Sequence, residues 1–526
     1  MLKPALFSVI GSLWFAVAAA AQLELPAVFS DHMVLQREKP IKVWGWARPE
    51  SDVSVKLGER EAKATTGRDG RWSVALSAMN AGGPFVMTVR SGDKTFEVSD
   101  VYVGEVWLCS GQSNMAMQVR SAQDAEKEIA AADYPLIRMF KESSSPATSP
   151  QERGKGTWMV CSPQSVGGFS ATAYFFGREL NQSLDVPIGL LNSSVGGTAV
   201  EAWTSLEAQA DNDAIAPVLE QWKQRVASYD PVKAKDQYER AVAAWEKRKA
   251  QAEEEGKRVP RRPAPPANPA SDKNHPANLF NGKIMPLIGY GIRGAIWYQG
   301  ERNANGNLSH LYGDQLEAMI TDWRTRWGGD EDFPFAWVQL PNYRKLQTQP
   351  SEPSGWVTVR EQMMQTLDVP NTGMAVTVDV GQANDIHPKN KQAVGKRLAR
   401  WALANVYGEA ASEPEASESG GERVGESMGP IFQSAKRQGN KMRIRFRFVN
   451  DSPPVPEEGL KGFAVAGADR VFHWAQTRVV GNELEVWSDA VMEPISVRYS
   501  WSANPIGNFR NQSGLPASPF RTDDWE

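Results

Sequence analysis

Across residues 22–100 apolar and polar positions alternate in short runs: Val43, then Val53, Val55 and Leu57, then Trp72, Val74 and Leu76, then Phe85, Met87 and Val89. Arg48-Pro49-Glu50-Ser51, Gly58 and Arg68-Asp69-Gly70 interrupt them. Strands broken at that spacing predict a small β-sandwich. Over 101–408 the register changes to near-continuous apolar runs separated by helical segments, the pattern of parallel strands buried on both faces. Five strands are predicted, at 101–109, 188–192, 294–298, 335–340 and 374–380, with helices at 171–184, 311–323, 359–367 and 389–406. The economical architecture is a doubly wound parallel α/β sheet, whose ligands lie beyond the carboxyl ends of the strands.

Between the second and third strands, residues 206–275 form an insertion. Ile215, Leu219, Trp222 and Val226, then Tyr238, Val242 and Trp245, recur at helical spacing and predict a helix pair. The proline-rich run 259–269 that follows predicts an extended linker. Residues 409–426, rich in Glu, Ser and Ala, predict a solvated linker. Beyond it, at 427–526, Met442/Ile444/Phe446/Phe448 and Ile495/Val497/Tyr499/Trp501 alternate strictly and predict a second β-domain.

The chain of 526 residues is long enough for several domains, and its 41% hydrophobic and 23% charged content disfavours both disorder and a polytopic membrane protein. A net charge of −4 points to no nucleic acid and no anionic membrane surface. Residues 1–21 combine Lys3, an apolar run and Ala18-Ala19-Ala20, which predicts a cleaved secretory signal and a periplasmic or secreted product that is not membrane-bound afterwards. The two cysteines, Cys109 and Cys161, are too few for a disulfide framework and are expected as buried free thiols, although such a compartment permits one bridge. Oligomeric state is left open.

Candidate chemistry gathers at the ends of the predicted strands. The first runs into Cys109-Ser110-Gly111-Gln112-Ser113-Asn114, which puts Ser113 on a tight turn where a nucleophile belongs, although a lone serine at a strand end is more often a helix cap. The second ends in Ser194-Val195-Gly196-Gly197-Thr198, whose glycines let backbone N–H groups approach a substrate oxygen. Tyr298-Gln299-Gly300-Glu301-Arg302-Asn303 follows the third and offers a side-chain amide. After the fifth comes Asn384-Asp385-Ile386-His387-Pro388, with the proline expected in the first turn of a helix. Acyl transfer needs a base for the serine proton and a carboxylate to orient that base, roles that His387 and Asp385 fit. Gly425-Glu426-Ser427-Met428-Gly429 matches the nucleophile-elbow pattern literally. It lacks the core strand before and the helix after that the elbow requires. No metal-ligand or phosphate-loop motif occurs in the sequence.

These blocks resemble the SGNH hydrolase superfamily, and within it the sialate O-acetylesterase family. Gly-Gln-Ser-Asn carries Ser113, Gly-Gly-Thr the glycine, Gly-Glu-Arg-Asn carries Asn303 and Asp-Ile-His-Pro carries His387. The similarity extends to Phe29-Ser30-Asp31-His32-Met33-Val34-Leu35-Gln36 and to Gly514-Leu515-Pro516-Ala517. It implies a three-layer α/β/α hydrolase core flanked by N-terminal and C-terminal β-sandwich domains, and a serine esterase acting on acetylated sugars without metal or organic cofactor. Ser113, His387 and Asp385 would be catalytic. The N–H groups of Ser113 and Gly197 with the Asn303 amide would form the oxyanion hole, and Gln112, Glu301 and Arg302 would bind substrate. Many superfamily members hold the aspartate three residues before the histidine, where this chain has Asn384. Arg302 stands where similar proteins commonly have a small residue. The implied substrate is an O-acetylated sialic acid. An acetylated xylan or pectin-type glycan is the first alternative, and a non-catalytic carbohydrate-binding protein is an alternative of another class.

Overall fold

The computed structural model describes residues 23–328, 332–408 and 426–525. The expected signal segment and nearly all of the expected 409–426 linker lie outside them. Among the described residues no helix is long and apolar enough to cross a membrane.

The fold is mixed α/β. Strand β1, Lys94–Gly111, threads its centre. Its first half pairs antiparallel with Gly82–Ser91, which continues through Asp52–Leu57 to Arg60–Thr65. Ile41–Trp46 and Arg71–Leu76 form a separate antiparallel pair. The second half of β1 is the middle of a sheet with β2, Ile137–Glu142, β3, Gly156–Val160, β4, Ile188–Ser194, β5, Gly294–Tyr298, β6, Phe335–Val338, and β7, Thr372–Ala375. The order is β7-β6-β5-β1-β4-β2-β3, parallel throughout except for β3 at the edge. Since β4 and β5 flank β1 on opposite sides, the chain reverses direction there and opens a crevice at the carboxyl ends.

Strands β2 and β3 are absent from the sequence-based expectation. Arg138, Lys141 and Glu142 break the apolar run of β2. Two of these charges are nevertheless buried and paired: Arg138 reaches the Asp100 carbonyl at 2.6 Å and lies over the Tyr102 ring, and Glu142 meets Lys283.

The short helix α1, Ser113–Ala116, follows β1 directly. Helix α2, Ala171–Leu184, lies where the periodicity predicts it. The insertion contains α3, Ala216–Ala227, and α4, Pro231–Glu254, followed by an exposed stretch with no regular structure. Helices α5, Tyr312–Arg326, and α6, Gly355–Gln365, pack on each other, as do α2 and α7, Lys391–Val406. Gly395 makes the second contact possible, because a Cβ there would lie 2.6 Å from the Phe176 nitrogen. Helix α7 starts later than expected: Asn390 caps it by accepting from the Ala393 N–H, and Pro388 lies before it.

Beyond residue 426 come two four-stranded antiparallel sheets with their own apolar core. Met442, Ile444 and Phe446 point inward as predicted, whereas Ile495 is exposed and Phe448 turns out of the strand at positive φ. Glu426, expected to be solvated, is buried against Ser513 and the Asn450 N–H. Met428 leads into the strand Ile431–Gln438 rather than a helix, so the described part of the elbow-like pattern lacks the elbow's geometry. Cys109 and Cys161 are buried free thiols.

Arg360 of α6 is fully buried and donates to the carbonyls of Leu340, Pro341, Ser502 and Ala503, which ties the C-terminal segment to the sheet. Arg360→Met strands these acceptors away from water. It is expected to cost at least about 3 kcal/mol, read as a lower urea midpoint at unchanged m-value.

Candidate active site

The turn after β1 is sharp because Gly111 adopts φ +134°, where a Cβ would run into the Tyr298 carbonyl. This swings Gln112 and Ser113 over the ends of β4 and β5. Ser113 is half-buried and opens α1, so its N–H has no acceptor within the helix. Gly196 faces it closely, since a Cβ on that residue would stand 3.4 Å from the Ser113 Cβ. Gly197 follows at φ +69°, exposed, and Lys273 braces the turn by donating to the Gly196 carbonyl at 2.5 Å.

Asn114, next to the serine, is the buried hub. Its Nδ2 donates to Glu301 Oε1 at 2.5 Å and to the Ile386 carbonyl at 3.1 Å, while its Oδ1 accepts from Lys391 Nζ at 2.6 Å. Lys391 also donates to the Pro388 carbonyl at 2.8 Å. Both neighbours of His387 are thereby fastened to the residue after Ser113. Burial pushes the Lys391 amine down to about 7 against the pull of Glu301, and burial likewise raises the Glu301 carboxyl. Neither Asn114 nor Lys391 figures in the sequence-based site. Their only signals are adjacency to Ser113 and a four-residue offset from His387.

His387 and Asp385 are both half-exposed at the same rim. Asp385 Oδ1 accepts from the His387 backbone N–H at 2.9 Å and lies 3.7 Å from Nδ1, longer than a hydrogen bond. Its Oδ2 is 3.5 Å from Lys389 Nζ. The carboxylate thus holds the loop backbone and acts on the ring through space, in place of the direct contact expected of it. Burial lowers the imidazole pKa, Asp385 opposes this, and Lys391 and Lys389 add to it.

Three expectations change. Glu301 is buried beneath Asn114 and offers substrate no surface, so it positions rather than binds. Asn303 lies beside the site with its amide already committed: Nδ2 donates to Glu201 at 3.1 Å and Gln315 at 3.3 Å, while Oδ1 accepts from Gln299 and the Val200 N–H. Turned that way, it does not aim a donor at an oxyanion. Gln112 does have an uncommitted donor. Its Oε1 accepts from the Arg302 N–H at 3.3 Å and Gln299 at 3.4 Å, and its Nε2 has no acceptor among the described residues. The guanidinium of Arg302 is exposed.

A family model described as "Carbohydrate esterase, sialic acid-specific acetylesterase" matches residues 103–243 and 282–404. The chain is 32% identical to a sialate O-acetylesterase of Rattus norvegicus, over 72% of each protein. This chain belongs to the sialic acid-specific acetylesterase family of carbohydrate esterases. Over almost its whole length it is also 28% identical to the sialate O-acetylesterase of Pongo abelii, covering 97% of this chain and 94% of that one. A crystal structure of a carbohydrate acetylesterase from Xanthomonas citri superposes with a TM-score of 0.78 at 35% identity, covering 96% of this chain and 100% of the other. Membership makes the chain an ester hydrolase and sets aside the non-catalytic reading. The family match breaks off between 243 and 282, over the distal part of α4 and its proline-rich exit.

If His387 serves as the general base, it works when deprotonated, and its lowered pKa extends that form to more acidic pH. The acid limb of kcat/KM is therefore expected below 6.5. Asp385→Asn removes the one neighbour that raises the pKa and moves the limb lower still. Because no direct ring hydrogen bond is lost, its rate loss stays well short of the roughly 10⁴-fold typical of an orienting triad aspartate. A pH–rate series on both proteins checks the two statements.

Proposed function

We propose that this chain is a serine esterase that removes acetyl groups from O-acetylated sialic acids, 9-O-acetyl sialate above all. The observation that carries the reading is the Asn114 hub, which bonds the nucleophile turn, the end of β5 and the His387 loop to one buried amide. Ser113 Oγ attacks the acetyl carbonyl as His387 takes its proton. The resulting oxyanion is met by the N–H groups of Ser113 and Gly197. The intermediate collapses, His387 returns the proton to the departing sugar oxygen, and an acetyl-enzyme remains. Water, deprotonated by the same imidazole, releases acetate. Asp385 stabilises the imidazolium electrostatically. No step requires a metal or organic cofactor. In this reading the parallel sheet is the three-layer SGNH core, the antiparallel sheets on either side are β-sandwich domains, and the protein works in the periplasm or outside the cell.

The third oxyanion donor is Gln112 Nε2, in the position that sequence reasoning assigns to Asn303. Gln112→Ala is expected to lower turnover by about 10² to 10³ and Asn303→Ala by less, as measured by burst and steady-state kinetics on an aryl acetate. The reverse ranking returns the donor role to Asn303.

The Xanthomonas citri structure is described as a carbohydrate acetylesterase, a description that names no sugar, so acetylated xylan is the comparison substrate. Acetate release from 9-O-acetylated sialic acid and from acetylated xylan oligosaccharides, with wild type and Ser113→Ala, separates the two. Serine-dependent release from sialic acid is expected. Release from xylan alone reassigns the sugar and keeps the nucleophile.

A further inference from the structure

Beside Asn303 lies an open cleft of about 300 Å³ whose walls come from different parts of the chain. Helix α3 of the insertion supplies Trp222 and Arg225, the loop after β5 supplies Arg302, and Glu201 and Gln315 line it as well. The charged residues lining it are Arg225, Arg302 and Glu201. Both arginines are exposed, and neither guanidinium meets an acid or a hydrogen-bond acceptor among the described residues. The one contact of Arg225 is the face of Trp222, 4.9 Å from its guanidinium carbon to the ring centroid. Glu201, by contrast, is buried and takes hydrogen bonds from Asn303 and Gln315, with burial raising its carboxyl pKa. The free charge of the cleft is therefore positive in a protein whose net charge is −4.

The cleft is linked to the nucleophile turn through Arg302, one of its lining residues. The Arg302 N–H is bonded to the side chain of Gln112, the residue before Ser113, and Lys273 sits on the Gly196 carbonyl nearby. Two guanidinium groups that line one cleft and meet no acid among the described residues suit a planar carboxylate, which guanidinium binds through charge-assisted hydrogen bonds.

We infer that this cleft holds the carboxylate of the sugar while Ser113 attacks its acetyl group, with Arg225 and Arg302 as the partners, so that the insertion makes the esterase selective for acidic sugars. The inference rests on the acetylesterase reading above and adds to it the residues that choose the substrate. A sialic acid and an acetylated uronic acid present the same carboxylate, and the experiment distinguishes them.

Acetate release would be followed from 9-O-acetyl sialic acid and from its 1-carboxamide, in which a neutral NH2 replaces one carboxylate oxygen, using wild type, Arg225→Ala, Arg302→Ala and the charge-keeping Arg225→Lys. Wild type is expected to favour the acid. Each alanine variant lowers kcat/KM for the acid about tenfold more than for the amide, the loss of one charge-assisted hydrogen bond, and Arg225→Lys falls between. Added salt should erode the wild-type preference in the same direction. Equal rates on acid and amide in wild type, or equal losses on both in the variants, overturn the inference. If wild type leaves both sialic acids untouched, the sialate reading fails by itself, and acetylated galacturonate and neutral xylose oligosaccharides are compared next. A preference for the galacturonate that disappears in the arginine variants retains the cleft's role and changes the sugar. No preference rejects it.

Discussion

Everything at the catalytic rim depends on one buried amide. Asn114 uses both its donors and its acceptor on three separate stretches of chain, the end of β5, the loop before α7 and the first turn of α7. An amide in that position cannot be replaced by an apolar group without leaving Glu301 and Lys391 buried and unbridged, and unpaired buried charge is among the costliest defects a fold can carry. The turn that carries Ser113 and the loop that carries His387 are thus tied together from beneath, while both side chains stay partly exposed.

The same division of labour recurs around the site. Residues that look like binding groups in the sequence often serve as braces. Glu301 holds Asn114, Asn303 holds Glu201, and Asp385 holds the backbone of its own loop. The donors left uncommitted are the backbone N–H groups at Ser113 and Gly197 and the Nε2 of Gln112, all beside the nucleophile. Arg225 and Arg302, whose guanidinium groups meet no acid among the described residues, line the cleft further out. The insertion reaches both groups, through Lys273 at the Gly196 carbonyl and through Arg225 in the cleft.

Hydrophobic periodicity made much of the architecture legible. The β4, β5 and α2 segments fall where alternation and helical spacing put them, as does the helix pair of the insertion, because each buries a simple apolar run or stripe. It failed where charges are buried in pairs. Arg138 and Glu142 disguise β2 as a polar segment, and only their tertiary partners Asp100 and Lys283 make that strand affordable. Likewise Pro388 resembles a helix start, yet Asn390 provides the side-chain oxygen that begins α7.

Read alone, the chain determined the kind of chemistry, because serine, glycine and histidine blocks placed after core strands can converge only at the carboxyl rim of a parallel sheet. Tertiary structure decided which polar groups are spent and which remain free. A side chain's hydrogen-bonding capacity is finite, and several of the partners here are distant along the chain, as for Gly196 with Lys273, Asn303 with Glu201 and Asn114 with Lys391. No local pattern reveals that Asn303 is already committed, that Gln112 is not, or that a helix of the insertion brings an arginine to the same cleft as Arg302.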